Sequence, residues 1–279
     1  MSSAERFTIP TRGGRKVHGE VRMPQGDGRA PVVVVAHGWL GHKGHGLVPY
    51  VADGLAERGL AAVTFSFSGS GVPEGADEVI DVDAFAENTV GKEIEDLEAV
   101  VTAVFERTLP GRERFEIYRI GALGHDLGAS VALLEARGDT RVKAVAGLGP
   151  LVALDRPVPD EARDAWLLRE TYEFRDPATN RALRLGPSYL RDLRARRKEY
   201  DLVEAVQELD RPFLVVHGDR DEAARDSRML FFANSACAEI HVIPGADHAF
   251  GCGHPLASPT EAVGAARAAA IRFFEEKLR

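Results

Sequence analysis

Short apolar runs separated by longer amphipathic segments dominate the chain. The run "PVVVVAHG" at 31–38 holds four valines between a proline and a glycine, which predicts a strand buried on both faces of a sheet. Two segments at 5–9 and 17–23 flank the turn "TRGGRK" and predict an antiparallel pair of strands. Runs like the first recur at 60–67, 115–124, 142–149, 212–218 and 238–243.

The amphipathic segments between these runs predict helices. Residues 47–59 carry apolar side chains at helical spacing and end on Gly59, which is typical of the position just after a helix. Residues 87–107 and 128–138 also carry apolar stripes, and "SPTE" at 258–261 predicts the capped start of a last helix. Strands that alternate with helices predict an α/β fold, with a mostly parallel sheet and helices on both faces.

One interval is too long for an ordinary connection between strand and helix. Residues 151–210 separate two predicted strands, whereas most such connections are short. We expect this interval to form a helical lid over the ends of the strands, inserted into a single domain that spans residues 1–279. The interval is rich in aromatic residues, namely Trp166, Tyr172, Phe174, Tyr189 and Tyr200.

Composition and charge narrow the function classes. The 279 residues are 44% hydrophobic and 28% charged, with a net charge of −8, and this acidic balance argues against binding to nucleic-acid phosphates. No apolar run reaches membrane-spanning length and residues 1–14 lack the apolar core of a signal peptide, so we expect no membrane partner and a cytoplasmic location. Cys237 and Cys252 predict free thiols. The sequence leaves a homo-oligomer open.

A strand, a sharp turn and a helix are predicted to meet at "GALGHDLGAS" (121–130). Its centre, Gly124-His125-Asp126-Leu127-Gly128, fits the nucleophile-elbow pattern G-x-S-x-G, except that an aspartate replaces the serine. The two glycines permit a close approach of strand and helix. In the alternative interpretation, Asp126 only caps the helix and carries no chemistry.

Two further polar segments follow in the order that a catalytic triad requires. The segment "HGDRDEA" (217–223) ends a strand and offers Asp221 as the acid, with Asp219 as the second candidate. The segment "GADHAFG" (245–251) follows the last strand and offers His248. A nucleophile, an acid and a histidine that each follow a strand predict a triad of Asp126, Asp221 and His248.

With these motifs the chain resembles the α/β-hydrolase superfamily, and within it the dienelactone-hydrolase-like and prolyl-oligopeptidase-like esterases. "VVVVAHGWLGHKGHG" looks like the family's oxyanion strand and loop, while "HGDRDEA" and "GADHAFGCGHP" look like its acid and histidine motifs. The resemblance covers nearly the whole chain and implies an oxyanion hole built from the backbone N–H groups of Trp39 and Leu127. The relatives carry serine where this chain has Asp126.

An aspartate at the elbow favours a different reaction from that of a serine. A carboxylate is already ionised at pH 7 and can attack an sp³ carbon that bears a leaving group, as in an epoxide or an alkyl halide. The product is an alkyl-enzyme ester, which His248, oriented by Asp221, hydrolyses by activating a water. The epoxide hydrolases and haloalkane dehalogenases of the superfamily also carry aspartate at this position and use this two-step scheme.

Two rival interpretations remain open at this point. In the first, the aspartate is a natural or engineered replacement that silences an esterase, which then acts as a ligand-binding protein. In the second, Asp126 and His248 serve as base and acid in a lyase or isomerase reaction.

The expected substrate is an apolar or aromatic small molecule, because aromatic residues are concentrated in the lid. Epoxide opening also needs an acid, for which the lid tyrosines at 172, 189 and 200 are candidates. The residues expected to line the substrate pocket are His125, Trp166, Tyr172, Tyr189 and His254.

Neither a metal nor a cofactor is predicted. The histidines of "HGWLGHKGH" (37–45) have no carboxylate or cysteine at ligand spacing. The glycines of "SGSGVPEG" (68–75) lack the strand-to-helix context of a nucleotide-binding loop.

Overall fold

The structure is a computed structural model that describes residues 4–155, 158–222 and 235–279. Ala223, the last residue of the predicted acid motif, lies outside these ranges. The strands are β1 (Glu5–Pro10), β2 (Lys16–Arg22), β3 (Ala30–Ala36), β4 (Ala61–Ser66), β5 (Phe115–His125), β6 (Val142–Leu148), β7 (Tyr172–Arg175), β8 (Ala182–Leu185), β9 (Phe213–Gly218) and β10 (Ala238–Ile243). The helices are α1 (Leu47–Glu57), α2 (Val82–Ala86), α3 (Val90–Phe105), α4 (Leu127–Gly138), α5 (Asp160–Arg169), α6 (Pro187–Ala195), α7 (Leu202–Glu208) and α8 (Glu261–Lys277).

The main sheet has the strand order β1-β2-β4-β3-β5-β6-β9-β10. The pairs β1–β2 and β2–β4 are antiparallel, and the other neighbours run parallel. The valines of β3 alternate between two cores: Val32 and Val34 pack on one face, and Val33 and Val35 on the other. The prediction of a strand buried on both faces is therefore confirmed.

Helices cover both faces of the sheet. Side chains of α3 and α4 belong to the core on one face, and side chains of α1 and α8 belong to the core on the other. The predicted mostly parallel sheet with helices on both faces is confirmed. Within the described residues, no helix is both long enough and apolar enough to cross a bilayer.

Helix ends follow local capping chemistry, and two of them differ from the prediction. Gly59 follows α1 with a φ of +87°, as its sequence position predicts. The segment predicted as one helix over 87–107 instead starts at Val90, because the Thr89 hydroxyl caps the Lys92 N–H. The predicted start of the last helix was wrong by two residues, since the Thr260 hydroxyl supplies the cap.

The inserted lid is not purely helical, so that part of the prediction was wrong. It contains α5, α6 and α7, but also the antiparallel hairpin of β7 and β8, in which Tyr172 lies opposite Leu185. The hairpin packs against α2, α6 against α3 and α7 against α4. These contacts hold the lid against the face of the sheet that α3 and α4 cover.

Candidate active site

Asp126 stands at a strained turn between β5 and α4. Its φ and ψ are 52° and −124°, a conformation that costs a non-glycine residue on the order of 1–3 kcal/mol. A Cβ added to Gly124 would lie 2.2 Å from the Gly128 carbonyl oxygen, and one added to Gly128 would lie 2.1 Å from the His37 carbonyl oxygen. Only glycine permits these approaches, so the turn has the geometry of a nucleophile elbow.

The Asp126 carboxylate points away from the helix that it precedes. It occupies the N-cap position of α4, yet its side chain makes no capping hydrogen bond. Oδ2 accepts a hydrogen bond from the Trp39 N–H at 2.8 Å, and Oδ1 lies 3.2 Å from His248 Nε2. A Cβ on Gly38 would stand 2.9 Å from Asp126 Oδ2, so glycine at 38 leaves room for this oxygen. These contacts do not fit a residue that serves only as a helix cap.

His248 links Asp126 to a buried carboxylate after β9. His248 Nδ1 lies 2.9 Å from Asp221 Oδ2, and the Asp221 side chain is fully buried. Asp219, the second candidate for the acid, instead accepts a hydrogen bond from the Gly245 N–H at 2.6 Å and lies in a turn. The structure thus brings Asp126, His248 and Asp221 together in the order that the sequence suggests.

Opposite charges set the protonation of this site. Burial alone would lower the pKa of His248, but hydrogen bonds and charges from Asp126 and Asp221 outweigh it and raise that pKa to about 10. Burial likewise opposes ionisation of Asp126, yet the hydrogen bond and charge of His248 hold its pKa below the usual value. At neutral pH an imidazolium therefore faces an ionised Asp126. The stability that His248 contributes is fully present below the ordinary histidine pKa of about 6.5 and is lost as pH rises through about 10.

Two backbone N–H groups flank the elbow. The first is that of Trp39, and its loop is held by His37, whose Nε2 accepts the Phe67 N–H at 3.0 Å and whose Nδ1 donates to the Gly38 carbonyl at 2.9 Å. The second belongs to Leu127, the first residue of α4, and among the described residues it donates no hydrogen bond. Amides in the first turn of a helix lack intrahelical acceptors, so the Leu127 N–H is available to a ligand oxygen.

Aromatic rings surround the Trp39 indole. Its centroid lies 5.2 Å from that of Phe85, 6.2 Å from that of Phe174 and 6.2 Å from that of Tyr189. These rings come from α2, the lid hairpin and α6. The lid therefore packs directly on the residue whose N–H binds Asp126.

Three of the expected pocket residues lie beside the aromatic rings around Trp39 or beside the triad. The His125 ring centroid is 5.5 Å from that of His248. Tyr172 stacks on Phe174 with centroids 5.4 Å apart. Tyr189 is fully buried, and its hydroxyl donates to the Leu154 carbonyl at 2.7 Å, so in this conformation it has no proton to offer a substrate.

The other expected pocket residues make no hydrogen bond or ring contact with the triad within the described ranges. Trp166 is 1% exposed and belongs to the core on the lid side of the sheet. The His254 ring stacks on His45 with centroids 4.3 Å apart and lies 5.2 Å from His42. The sequence placed these side chains in the lid and the histidine loop, but could not show which way they face.

The rings of His42, His45 and His254 pack against one another. Nδ1 of His42 accepts the Gly44 N–H, and Nδ1 of His254 accepts the Gly46 N–H. No group of three histidines, cysteines or carboxylates with metal-binding geometry occurs in the part of the chain that the structure describes.

Glu93, in the first turn of α3, is a buried carboxyl group that the sequence pattern did not single out. The residue is 5% exposed, and its Oε1 accepts a hydrogen bond from Asn88 Nδ2 at 2.7 Å. Burial, reinforced by nearby carboxylates that include Asp126, raises its pKa to about 8. Glu93 falls three residues after Val90 and four before Leu97 on the apolar stripe of α3. A carboxylate on such a stripe is the signal that could have revealed it.

Comparisons with known proteins identify the family and the fold of the chain. Residues 33–266 match the alpha/beta hydrolase family. A curated relative, an uncharacterized 31.7 kDa protein of Escherichia coli from the traX-finO intergenic region, is 27% identical over 124 residues. That alignment spans 44% of this chain and 38% of the relative.

Solved structures with the same fold cover almost the entire chain. Est1E from Butyrivibrio proteoclasticus, solved with ferulic acid bound, is 23% identical with a TM-score of 0.72, over 97% of this chain and 98% of its own. The alpha/beta hydrolase GrgF from Penicillium sp. sh18 is 16% identical with a TM-score of 0.74, over 99% of each chain. A dienelactone hydrolase from Anabaena variabilis is 17% identical with a TM-score of 0.64, again over 99% of each chain.

Proposed function

The chain belongs to the alpha/beta hydrolase family, and from that premise we propose a hydrolase that uses Asp126 as a covalent nucleophile. Its substrate carries an electrophilic sp³ carbon, as in an epoxide or an alkyl halide, and the reaction passes through an alkyl-enzyme ester. One observation carries the proposal: an ionised Asp126 stands on the elbow with one oxygen against the Trp39 N–H and the other against His248.

The first step needs no general base. Asp126 Oδ2 is held by the Trp39 N–H, so Oδ1 is the oxygen that attacks carbon. A serine would first have to lose a proton to a neutral histidine, whereas the Asp126 carboxylate is already ionised beside a protonated His248. Attack on a carboxylic ester would form a mixed anhydride from a poor nucleophile, which is why an sp³ carbon is the better target.

Formation of the ester switches His248 into a base. The ester removes the negative charge and the hydrogen-bond acceptor of Asp126, both of which raise the pKa of His248. The pKa of the ring falls, the ring loses its proton to solvent, and Nε2 can then accept a proton from the attacking water. Asp221 holds Nδ1 throughout. The N–H groups of Trp39 and Leu127 stabilise the oxyanion that develops on the former Oδ2.

The aromatic side chains around Trp39 favour an apolar or aromatic small molecule as the substrate. Trp39, Phe85, Phe174 and Tyr172 form a continuous aromatic group from the oxyanion loop to the lid hairpin. Apolar rings bind apolar groups by burial and by edge or face contacts.

Exchange of Asp126 for serine tests the proposed function. On a panel of styrene-type epoxides, short haloalkanes and aryl esters, we expect the wild-type protein to open epoxides or release halide, and Asp126→Ser to lose that activity. A hydroxyl cannot attack carbon here unless His248 takes its proton. Product formation is measured by chromatography, and Asp27→Ser, at an exposed loop position, is the matched control.

Two results on this panel contradict the proposal. If the wild type is inert while Asp126→Ser cleaves esters, the chain is a silenced esterase and its function is ligand binding. If the wild type turns a substrate over without incorporating solvent oxygen, the reaction is that of a lyase or an isomerase.

A further inference from the structure

A second imidazole approaches the carboxylate that orients His248. His248 Nδ1 lies 2.9 Å from Asp221 Oδ2, and His217 Nδ1 lies 3.5 Å from that same oxygen. The His217 and Asp221 side chains are both buried, with 1% and 0% of their surface exposed. Two imidazole rings therefore face one oxygen atom that is shielded from bulk water.

The strand β9 fixes where the His217 ring lies. Every residue of β9 is buried, and the strand runs parallel to β6 on one side and to β10 on the other. Gly218 ends this strand, and a Cβ there would collide with the Ala246 carbonyl oxygen. The Arg220 N–H donates to that same carbonyl at 3.0 Å. The turn that carries the acid is therefore tied to the loop that carries His248, and His217 lies just before this turn.

The backbone after β6 also approaches this oxygen. A Cβ on Gly149 would lie 3.5 Å from Asp221 Oδ2 and 3.1 Å from His248 Cε1. The Gly149 N–H donates to the Val216 carbonyl at 2.8 Å, which holds this backbone against β9. The Asp221 carboxylate is therefore closely surrounded, and small movements decide which imidazole it faces.

The ring of His217 can present an N–H to this oxygen. Neither of its nitrogens makes a hydrogen bond within the described residues, so no acceptor there fixes the proton on Nε2. An ionised carboxylate only accepts hydrogen bonds, so Nδ1 is the nitrogen that carries the proton beside Oδ2. At 3.5 Å the contact is longer than an ordinary hydrogen bond. In this state the closer His248 ring holds the oxygen.

The second chemical step changes the surroundings of the Asp221 charge. While His248 is protonated, the imidazolium lies next to the carboxylate and balances its charge. When the ring becomes a neutral base, the buried carboxylate loses this cation, and a buried charge without compensation is costly. A second donor to Oδ2 offsets part of this cost, so it stabilises neutral His248 relative to the imidazolium.

We propose that His217 is a positioning residue for this second step: its Nδ1–H closes on Asp221 Oδ2 as His248 gives up its proton, and so favours the base form of His248. The inference rests on the proposed function of Asp126, in which His248 loses a proton to solvent after the ester forms. His217 keeps its own proton and touches no reacting atom. The titratable groups that face His248 are Asp126, Asp221 and the His125 ring, while Asp221 faces His217.

The test titrates His248 by NMR in the Asp126→Asn protein, whose neutral amide stands in for the ester and which needs no substrate. His217→Leu removes the N–H, and we expect it to move the His248 titration to higher pH by about one pH unit. His217→Asn has nearly the shape of leucine but places an amide N–H where Nδ1 stood, so we expect it to keep the parent titration. His217→Phe, a ring without a donor, is measured beside them, so that poor folding of the leucine variant does not decide the result.

The same variants with Asp126 intact connect the titration to catalysis. After a single addition of styrene oxide, formation and breakdown of the ester adduct are followed by intact mass across pH. Breakdown requires neutral His248, so we expect His217→Leu to slow it about tenfold at pH values below its midpoint and to leave adduct formation unchanged. His241→Leu on the neighbouring strand β10 is the matched control, and we expect it to change neither rate.

Three results separate the possibilities. The assignment of His217 is overturned if the leucine variant titrates as the parent does, or if the leucine and asparagine variants shift His248 equally, since the N–H then has no part in the effect. A lower melting temperature with an unmoved His248 titration shows a purely structural role and also overturns it. If the titration shifts as expected but no protein forms an adduct, the proposed function of Asp126 fails, and only the action of His217 on Asp221 is supported.

Discussion

His248→Gln is expected to stall the enzyme after its first chemical step. Mixed with a styrene-type epoxide, this variant gains the mass of one substrate molecule and releases almost no product. Asp126 attacks without help from the histidine, so the ester still forms, but glutamine cannot take a proton from water. We expect turnover to fall by about 10²–10⁴-fold. Intact-mass spectrometry detects the adduct, and peptide mapping places it on Asp126.

A histidine outside the site provides the control for this experiment. His241→Gln, on the edge strand β10, should turn over normally and accumulate no adduct. A His248→Gln protein that loses turnover without gaining mass would show that the histidine acts before any covalent bond forms. That result would favour direct attack by water over the covalent scheme.

Asp126→Asn is expected to remove the reaction entirely. The amide has the shape of the carboxylate, but it is neutral and a poor nucleophile, so no ester can form. Loss of a covalent nucleophile lowers turnover by about 10⁴-fold or more. The same change removes a partner that raises the pKa of His248 to about 10, so NMR should find this ring titrating at lower pH than in the wild type.

The two readouts for Asp126→Asn separate a chemical role from a structural one. A variant that folds and shows the lowered histidine pKa, but has no activity, has lost only the nucleophile. Retention of substantial turnover by this variant would contradict the covalent mechanism, because no other group on the elbow could replace the carboxylate.

The sheet and the order of the site residues could be predicted from the sequence because each rests on local patterns. The valines of 32–35 have no polar alternation, and a strand covered on both faces is the arrangement that buries all of them. Asp126, Asp221 and His248 each follow a parallel strand of this sheet. The carboxyl ends of parallel strands lie at the same edge of a sheet, so the proximity of these three residues follows from the strand topology.

The lid hairpin was missed although its signal is present. "YEFR" alternates between apolar and polar residues, "ALRL" does so over its last three residues, and "DPATN" between them is rich in turn formers. We expected a helical lid and therefore did not interpret this alternation as a pair of strands. Two candidate caps also stand near the start of α8, and Thr260 rather than Ser258 occupies the N-cap position.

Side-chain partners across the fold could not be predicted. The sequence places Tyr189 on a lid helix, but only tertiary packing shows that its hydroxyl bonds to the Leu154 carbonyl. The protonation of Glu93 and His248 likewise depends on burial and on carboxylates brought from distant segments. These distances between side chains depend on the folded structure and cannot be read from the sequence alone.

The central claim is that Asp126 forms a covalent ester, and isotope transfer in a single turnover tests it most directly. Wild-type enzyme in excess over a styrene-type epoxide is allowed one turnover in ¹⁸O-labelled water. The covalent account predicts that the new oxygen of the first diol is unlabelled, because it comes from Asp126, and that the peptide containing Asp126 gains ¹⁸O. A first diol that carries ¹⁸O, together with an unlabelled Asp126, would contradict the account and show that water attacks the substrate directly.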